Sequence, residues 1–298
     1  MAAPAGIRVR CPAKVNLGLW ILGRRDDGYH EVDTILQALT LEDELTLEPA
    51  PEGFALETRG IPIPQDGPNL VERAWNLISE RATGSKFRGI RARLTKRIPI
   101  GAGLGGGSSD AAGLLAGVNH LLALGLTKTE LQSLGARIGS DVPFFFGGGT
   151  ARATGRGEKV RQLCPIEPLW VVLASPPIAI STTWAYGRIR FHLTPVSSGA
   201  NLLASAIGSR EWGAVADAMH NVFEDVVLPE FPSLAELRRS LIGCGAMKAL
   251  MSGSGSTFYG VVRSFDEAMR AAKGVAGRGV EVRVVRTLER GVNVARRA

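Results

Sequence analysis

The sequence predicts an α+β protein built from two domains. Its 298 residues exceed the usual length of one domain, which is roughly 100–200 residues. Strand-like and helix-like segments occur in blocks, without the strand–helix alternation of a parallel α/β sheet. Pro165 and Pro168, followed by Pro176 and Pro177, mark a change in the local composition of the chain. We therefore expect domains over residues 1–160 and 161–298, with the boundary at about 155–165.

Composition and charge argue against several classes of protein. Hydrophobic residues make up 45% and charged residues 21%, so the chain can bury a core of ordinary size. The formal net charge of +7 suits anionic ligands such as phosphates, but it equally suits a mildly basic surface. Because there is no basic run and the aromatic content is only 6%, we expect no nucleic-acid partner.

Cysteines and apolar segments indicate a cytoplasmic protein. Cys11, Cys164 and Cys244 are far apart and odd in number, so neither a disulfide framework nor a zinc site is expected. Met1–Arg10 lacks the apolar segment of a signal peptide. The longest apolar runs are much shorter than the ~20 residues that span a bilayer, so no membrane partner is expected.

The first half of the chain is predicted to contain strands and three helices. Apolar patterning predicts strands over Leu17–Leu22, Ile35–Leu39, Leu45–Glu48, Phe54–Arg59 and Ile90–Leu94. Apolar residues at helical spacing predict helices over Asn69–Arg81 and Ser108–Leu124. A capping box at Thr127–Glu130 begins a third helix that ends near Gly139, and Gly147–Gly149 precede a strand pair.

The second half is predicted to form an antiparallel sheet covered by helices. The expected strands are Leu169–Ala174, Ala246–Met251, Thr257–Val262 and Val280–Arg286. The expected helices are 201–207, 211–222, 232–242 and Phe265–Val275. The final strand–turn–strand–helix–strand order is typical of an α+β domain.

A glycine-rich loop joins the strand Ile90–Leu94 to the helix Ser108–Leu124. Its residues are Pro99, Ile100, Gly101, Ala102, Gly103, Leu104, Gly105, Gly106, Gly107, Ser108 and Ser109. Glycine permits positive φ and lets a ligand approach the backbone closely. The helix N-terminus offers unpaired N–H groups and partial positive charge, and Ser108 and Ser109 can cap it or bond a phosphate. The loop therefore predicts a phosphate site.

Other interpretations of this loop are weaker. Gly101, Gly103 and Gly106 match the dinucleotide fingerprint GxGxxG, but no βαβ unit surrounds them and no acidic strand end follows the helix. A Walker A loop requires the sequence GK[ST], and this loop contains no lysine. The remaining alternative is an elaborate helix-capping turn. Five glycines followed by two serines favour phosphate binding over that turn.

Lys14 and Asp141 are candidate catalytic residues. Lys14 heads an apolar strand, where a cation needs a partner or must reach water along its aliphatic chain. Asp141 precedes the apolar run 142–146, so it is either a general base or a helix-end aspartate. Asp110 is a rival acid, but its place near the start of a helix suits an interaction with the helix dipole.

Two further segments have a functional and a structural interpretation. Tyr29 and His30 follow a turn glycine. They either bind the ring of a ligand, by stacking on its face and hydrogen-bonding its edge, or form an ordinary surface turn. Ser252–Thr257 is a second glycine turn between two strands. It is either a plain hairpin or a turn that closes over the first loop from the second domain.

These motifs, in this order, resemble the GHMP kinase superfamily. Its three motifs correspond to Pro12–Leu17, Pro99–Ser109 and Ser252–Thr257. The resemblance implies an N-terminal domain like domain 2 of ribosomal protein S5 and a ferredoxin-like C-terminal domain. It also implies ATP as the phosphate donor and Mg²⁺ on its phosphates, although no residue can be assigned as a metal ligand.

Within the superfamily, the similarity is greatest to kinases of a cytidine-linked substrate. The stretches that carry it are Ala13–Leu17, Arg24–His30, Pro99–Ala112 and Gly139–Phe146. It implies transfer of the ATP γ-phosphate to the 2-hydroxyl of 4-diphosphocytidyl-2-C-methyl-D-erythritol, in the non-mevalonate pathway to isoprenoid precursors. This cytidine diphosphate-linked methylerythritol and ATP are the expected small-molecule partners.

The resemblance also implies roles for individual residues. Asp141 would accept the hydroxyl proton, and Lys14 would pair with it and offset the developing charge. The loop N–H groups would hold the phosphates for in-line transfer. Cytosine would lie near Tyr29 and His30, with a second aromatic over its other face. The residues placed around the substrate are Asn16, Tyr29, His30, Thr183 and Tyr186.

Two other functions remain open from the sequence. One is a GHMP kinase for another alcohol, such as mevalonate or homoserine, and the other is an ATP-binding regulatory protein without turnover. Tyr29 and His30 favour the cytidine substrate over another alcohol, because a stack plus an edge contact suits a pyrimidine.

Overall fold

Two β-sheets form the framework of the computed structural model, which describes residues 6–63, 69–81, 88–189, 197–277 and 279–296. In chain order the strands are β1 (Ile7–Arg24), β2 (His30–Ala50), β3 (Glu52–Gly60), β4 (Arg88–Lys96), β5 (Thr150–Gly155), β6 (Lys159–Gln162), β7 (Trp170–Ser175), β8 (His220–Asn221), β9 (Lys248–Met251), β10 (Phe258–Val262), β11 (Glu281–Arg286) and β12 (Asn293–Arg296).

The first sheet combines both halves of the chain. Its main path runs β12-β1-β2-β4-β3, while β5 also pairs with β2, β6 with β5 and β8 with β1. The β3–β4 and β1–β8 pairings are parallel, and the other pairings of this sheet are antiparallel. The second sheet has the order β11-β7-β10-β9 and is wholly antiparallel. This confirms the antiparallel sheet predicted for the second half.

β2 is one continuous strand, so the two separate strands predicted over Ile35–Leu39 and Leu45–Glu48 are wrong. The polar residues between them indicated a turn. In the fold, β1 pairs with β2 along nearly its whole length, and register shifts between Pro12 and Lys14 let the two strands bend together. Pairing along the ladder therefore keeps residues 40–44 extended.

Helices cover the outer faces of both sheets. In chain order they are α1 (Leu70–Ser79), α2 (Gly106–Leu121), α3 (Lys128–Ile138), α4 (Thr182–Gly187), α5 (Ser197–Ser209), α6 (Trp212–Ala218), α7 (Glu224–Val227), α8 (Pro232–Gly243) and α9 (Phe265–Val275), with a 3₁₀ helix over Val142–Phe146. Within the described part of the chain, each helix is too short or too polar to cross a membrane.

The helix predictions are mostly confirmed, although several bounds differ; α5, for example, begins at Ser197 and not at residue 201. α2 begins at Gly106 and not at Ser108, so the last glycines of the loop already belong to its first turn. The helix predicted over 211–222 ends at Ala218, because His220 and Asn221 pair with β1 as β8. The short helices α4 and α7 and the strand β12 were not predicted.

A continuous core joins the two halves of the molecule. One buried cluster lies between the first sheet and α1–α3, and another packs the second sheet against α8 and α9. Between them, Val15 and Ile35 of the first sheet pack with Leu173 and Tyr259 of the second. The predicted domain boundary falls within β6, and its position stays a prediction; the outer ends of both domains lie outside the described residues.

The capping box at the start of α3 leads to a prediction about stability. The Thr127 hydroxyl accepts from the Glu130 backbone N–H at 3.3 Å, and the Glu130 carboxylate accepts from the Thr127 N–H at 2.8 Å. We expect Thr127→Ala to lower the free energy of unfolding by about 1 kcal/mol, measured by urea denaturation. Thr127→Ser keeps the oxygen and should lose much less, so equal losses in the two variants would contradict the prediction.

Candidate active site

A cavity of about 840 Å³ lies between the glycine loop, β1 and α4. Several elements supply its walls, including both glycine turns and the segment around Asp141. The predicted site residues that line it are Lys14, Asn16, Tyr29, His30, Gly101, Gly103, Gly105, Ser108, Asp141, Thr183 and Tyr186. The other loop residues, Pro99, Ile100, Ala102, Leu104, Gly106, Gly107 and Ser109, are not part of this lining. The fold thus brings together residues from segments more than 150 positions apart in the chain.

The glycine loop has one face in the core and one face in the cavity. Ala102 and Leu104 are buried in the cluster between the two sheets. The alternating residues Gly101, Gly103 and Gly105 have φ values of 67°, 78° and 71° and line the cavity. These left-handed conformations are the reason that the loop needs glycine at these positions.

The start of α2 is not capped by a serine, contrary to one of the predicted roles of Ser108 and Ser109. Gly105 occupies the cap position, and no side chain bonds the first turn. Ser108 lines the cavity, whereas the Ser109 hydroxyl is buried and lacks a hydrogen-bond partner among the described residues. The uncapped N-terminus at the cavity is the arrangement that favours an anionic ligand.

The second glycine turn closes over the first. Ser252–Thr257 joins β9 to β10, and the Ser252 hydroxyl donates to the Gly103 carbonyl at 2.9 Å. A Cβ atom on Gly103 would lie only 1.9 Å from the Ser252 carbonyl oxygen. The turn is therefore a hairpin that also packs over the glycine loop. Glycine is required at position 103, where the two backbones meet.

Lys14 and Asp141 meet at the floor of the cavity. The Lys14 Nζ lies 3.4 Å from Asp141 Oδ2 and donates to Asn16 Oδ1 at 2.8 Å. The lysine side chain is 5% exposed and the aspartate side chain 36%, so the carboxylate is the more accessible of the two groups. Asn16 Nδ2 in turn donates to the Thr34 hydroxyl at 2.8 Å. The aliphatic part of the Lys14 side chain packs against Gly105, where an added Cβ would lie 2.9 Å from the Lys14 Cγ.

Aromatic rings line another part of the cavity, which we call its aromatic end. The His30 ring lies against Tyr186 with centroids 4.7 Å apart, and Tyr186 packs edge-on against Phe223. Tyr29 is 54% exposed, and the Arg156 guanidinium lies 4.7 Å from its ring centroid. This end of the cavity therefore offers an accessible ring face beside an imidazole.

Two of these side chains have shifted protonation equilibria. Burial, and to a smaller extent the charge of Arg24, lowers the pKa of His30, so its neutral form is favoured at neutral pH. Burial, with the charge of Asp141, raises the pKa of Tyr186 to about 12. A neutral imidazole can both donate and accept a hydrogen bond.

Asp110 does not have the helix-dipole role that the sequence suggested. It lies beyond the first turn of α2, is 2% exposed, and its carboxylate accepts from Lys96 Nζ at 2.7 Å. Sequence reasoning also missed Thr34, Arg156 and Asn221. Asn221 Nδ2 donates to the carbonyls of residues 251 and 253 and so braces the second glycine turn. Nothing in the local sequence marks these residues, because only the fold brings them to the site.

The cavity fits a magnesium ion that arrives with phosphates. Among the described residues there is no group of three or more His, Cys, Asp or Glu side chains placed to hold a metal. Asp141 is the one carboxylate in the cavity lining as described. Mg²⁺ commonly binds to one or two carboxylates, to water and to the phosphates of a substrate. A bound triphosphate and water would supply most of these ligands, so no side chain is assigned as a metal ligand.

Comparison with known proteins identifies the family. The model of the GHMP kinases N terminal domain matches residues 69–149, and the GHMP kinases C terminal model matches residues 203–280. A 4-diphosphocytidyl-2-C-methyl-D-erythritol kinase of Symbiobacterium thermophilum is 42% identical over 95% of this chain and 100% of its own length. The chain belongs to the 4-diphosphocytidyl-2-C-methyl-D-erythritol kinase family. A relative of the same name from Pelotomaculum thermopropionicum is 39% identical over 92% of this chain and 96% of its own.

Solved structures agree with membership of this kinase family. A crystal structure of 4-(cytidine 5'-diphospho)-2C-methyl-D-erythritol kinase has a TM-score of 0.78 and 36% identity, and the match covers 94% of this chain and 98% of the other. A homoserine kinase from Cytophaga hutchinsonii also reaches 0.78, but at 18% identity it is evidence of the shared fold alone. The kinase therefore has the two-domain GHMP kinase fold; the S5-like and ferredoxin-like descriptions of its domains stay predictions.

The contact between the two glycine turns leads to a prediction for this kinase. Gly103→Ala and Gly101→Ala both place a side chain at positive φ, which costs roughly 1–2 kcal/mol. Gly101 has open space around it, whereas an alanine at 103 collides with the Ser252 carbonyl. We expect Gly103→Ala to lower the free energy of unfolding by a further ~1–3 kcal/mol, measured by urea denaturation. Equal losses in the two variants would mean that the turns do not pack as described.

Proposed function

We infer that this chain is an ATP-dependent kinase that phosphorylates the 2-hydroxyl of 4-diphosphocytidyl-2-C-methyl-D-erythritol, in the non-mevalonate route to isoprenoid precursors. The observation that carries this conclusion is the 39–43% identity, over most of the chain, to kinases of that name. The cavity has the parts that this reaction needs: a loop for phosphates, a lysine–carboxylate pair and an aromatic wall. We place the reaction in the cytoplasm, where ATP is supplied.

The glycine loop is the proposed site of the ATP phosphates. Three of its glycines face the cavity at positive φ, and the first turn of α2 has no side-chain cap. Backbone N–H groups can therefore approach the phosphates, and the helix dipole stabilises their charge. Mg²⁺ held mainly by the nucleotide would offset the remaining phosphate charge.

Lys14 and Asp141 are the proposed catalytic residues. The exposed carboxylate of Asp141 accepts the proton of the 2-hydroxyl while the hydroxyl oxygen bonds to the γ-phosphorus. The bond from the γ-phosphorus to the β–γ bridging oxygen breaks, and ADP leaves with that electron pair. Lys14 is held by Asn16 at 2.8 Å and lies between Asp141 and the loop, where it offsets negative charge in the transition state.

The aromatic end of the cavity is the proposed cytosine site. Because the His30 and Tyr186 rings already touch, the base does not enter between them. We place it against the accessible face of Tyr29 with Tyr186 on its other side and neutral His30 at its edge. Thr183 on α4 lines the same cavity and is a proposed contact of the substrate.

Turnover with different alcohols tests the proposed acceptor. We expect ADP release with 4-diphosphocytidyl-2-C-methyl-D-erythritol and little release with mevalonate or homoserine, because neither alcohol offers a ring to the aromatic wall. The measurement is the kcat/KM of purified protein for each alcohol at saturating Mg-ATP. Equal or greater activity with mevalonate or homoserine would overturn the substrate, and ATP binding without turnover on any of them would favour a regulatory protein.

Replacing Asp141 tests the proposed general base. We expect Asp141→Asn to reduce kcat by roughly 10²–10⁴-fold and to change the KM for ATP little, since the amide keeps the shape but cannot take the proton. Steady-state kinetics with varied ATP separates the two effects. Asp217→Asn, an exposed position on α6 outside the cavity, is the control and should leave kcat unchanged. A full rate in Asp141→Asn would exclude the proton-accepting role.

A further inference from the structure

Asn221 is a buried asparagine that joins separate parts of the backbone behind the cavity. It is 2% exposed and does not line the 840 Å³ cavity, so it does not contact a ligand bound there. Its Nδ2 donates to the carbonyls of Met251 and Gly253, at 2.7 and 2.8 Å. Its Oδ1 accepts from the Phe223 N–H at 3.0 Å. The amide therefore uses both its donor and its acceptor sides on backbone groups.

Two of these bonds fix the second glycine turn, Ser252–Thr257. Gly253 and Gly255 in this turn have φ values of 56° and 97°, which glycine adopts more readily than any other residue. A segment of this kind loses conformational entropy when it is ordered, and hydrogen bonds at its base offset part of that cost. The Asn221 amide binds the carbonyls on either side of Ser252, where β9 enters the turn.

The turn lies against the phosphate side of the cavity. The Ser252 hydroxyl donates to the Gly103 carbonyl, and a Cβ atom on Gly253 would lie only 3.6 Å from the Lys14 Nζ. The Gly253 backbone is therefore next to the ammonium proposed to offset charge in the transition state. Because Gly253 and Lys14 both line the cavity, a shift of the turn would change the space around the reacting groups.

Asn221 is also linked to the aromatic end of the cavity. Phe223, whose N–H it binds, packs edge-on against Tyr186 with ring centroids 4.9 Å apart. The turn itself reaches α4, the helix that carries Tyr186, because the hydroxyls of Ser254 and Thr182 are 3.1 Å apart. One amide group thus connects the phosphate side of the cavity to its aromatic end.

The backbone of Asn221 is anchored to the strand that carries Lys14. Asn221 belongs to β8, and its register partner in β1 is Leu19. The N–H of the next residue, Val222, donates to the Leu19 carbonyl at 3.1 Å. The amide therefore has a fixed place relative to the proposed catalytic lysine, and it transmits that place to the turn.

We propose that Asn221 is a positioning residue for phosphoryl transfer: it fixes the second glycine turn so that the phosphates, Lys14 and the acceptor hydroxyl are aligned. The proposal rests on the proposed function, in which the turn lies between the ATP phosphates and the acceptor. A misplacement of about 1 Å can slow a reaction roughly 100-fold while both substrates still bind. Loss of the Asn221 bonds should therefore affect kcat more than either KM.

An isosteric replacement of Asn221 tests this role. Asn221→Asp keeps the side-chain shape and an oxygen for the Phe223 N–H, but an ionised carboxylate cannot donate to the two carbonyls. We expect kcat for the cytidine substrate to fall about 10–100-fold, while the KM values for ATP and for that substrate change less than about 3-fold. The measurement is steady-state kinetics with each substrate varied, normalised to the folded fraction from circular dichroism.

Asn119 provides the matched control. Its amide also bridges backbone groups, since Nδ2 donates to the Leu126 carbonyl and Oδ1 accepts from the Leu126 N–H, both at 2.9 Å. It lies near the C-terminal end of α2 and does not line the cavity. Asn119→Asp should leave kcat within about 2-fold of the unaltered protein. Equal falls of kcat in the two variants would show a general effect of a lost backbone bridge and would overturn the proposal.

Hydrogen–deuterium exchange reports on the turn directly. We expect the backbone amides of 252–257 to exchange at least several-fold faster in Asn221→Asp than in the unaltered protein, and at the original rate in Asn119→Asp. Asn221→Ala removes the same bonds without adding a charge, so it replaces Asn221→Asp in both measurements if that variant does not fold. Unchanged exchange of the turn would mean that Asn221 does not fix it, and the proposal would be overturned.

Turnover by the unaltered protein separates this proposal from the proposed function. If the unaltered protein phosphorylates none of the alcohols tested, the proposed function fails, and this inference fails with it. If it phosphorylates the cytidine substrate but kcat in Asn221→Asp falls less than about 3-fold, the role of Asn221 alone is overturned. A rise in either KM with an unchanged kcat would make the turn a binding surface and would overturn the positioning role as well.

Discussion

The site depends on the approach of two backbones, where the first glycine loop meets the second glycine turn. The Gly103 Cα has room for a hydrogen and for nothing larger, because the Ser252 carbonyl lies directly over it. This contact joins the first half of the chain to the second at the point where the cavity opens. It also explains why the loop is rich in glycine on one face and apolar on the other: the second face is buried against the core.

Burial of charge is the second constraint on the site. Lys14 and Lys96 are both almost inaccessible to solvent, and each is placed under the loop by a strand of the first sheet. Lys14 keeps an accessible carboxylate as its partner, whereas Lys96 is enclosed by two buried ones. The two buried lysines thus differ in their partners, since only Lys14 pairs with a carboxylate that solvent or a ligand can reach.

The sequence predicted those parts of the protein whose signal is local. The loop Pro99–Ser109, the capping box at Thr127 and the helix α9 each depend on neighbouring residues and were found. The pairing of β12 with β1 joins residues nearly 290 positions apart, and the burial of Asp110 depends on strands that bring Asp43 and Lys96 to it. No short-range pattern reports such contacts. The meeting of Lys14 and Asp141 was anticipated only through the resemblance to a known family.

The walls of the cavity come from separate parts of the chain. The glycine loop, Lys14 and Asp141 precede β7, whereas Thr183 and Tyr186 lie on the short helix α4 that follows it. In evolutionary terms, the residues proposed to transfer phosphate and part of the surface proposed to face the acceptor lie in separate segments of the chain. A lineage can therefore exchange residues of α4 and acquire a new alcohol substrate while its phosphate chemistry is inherited unchanged, which is how one fold can serve several pathways.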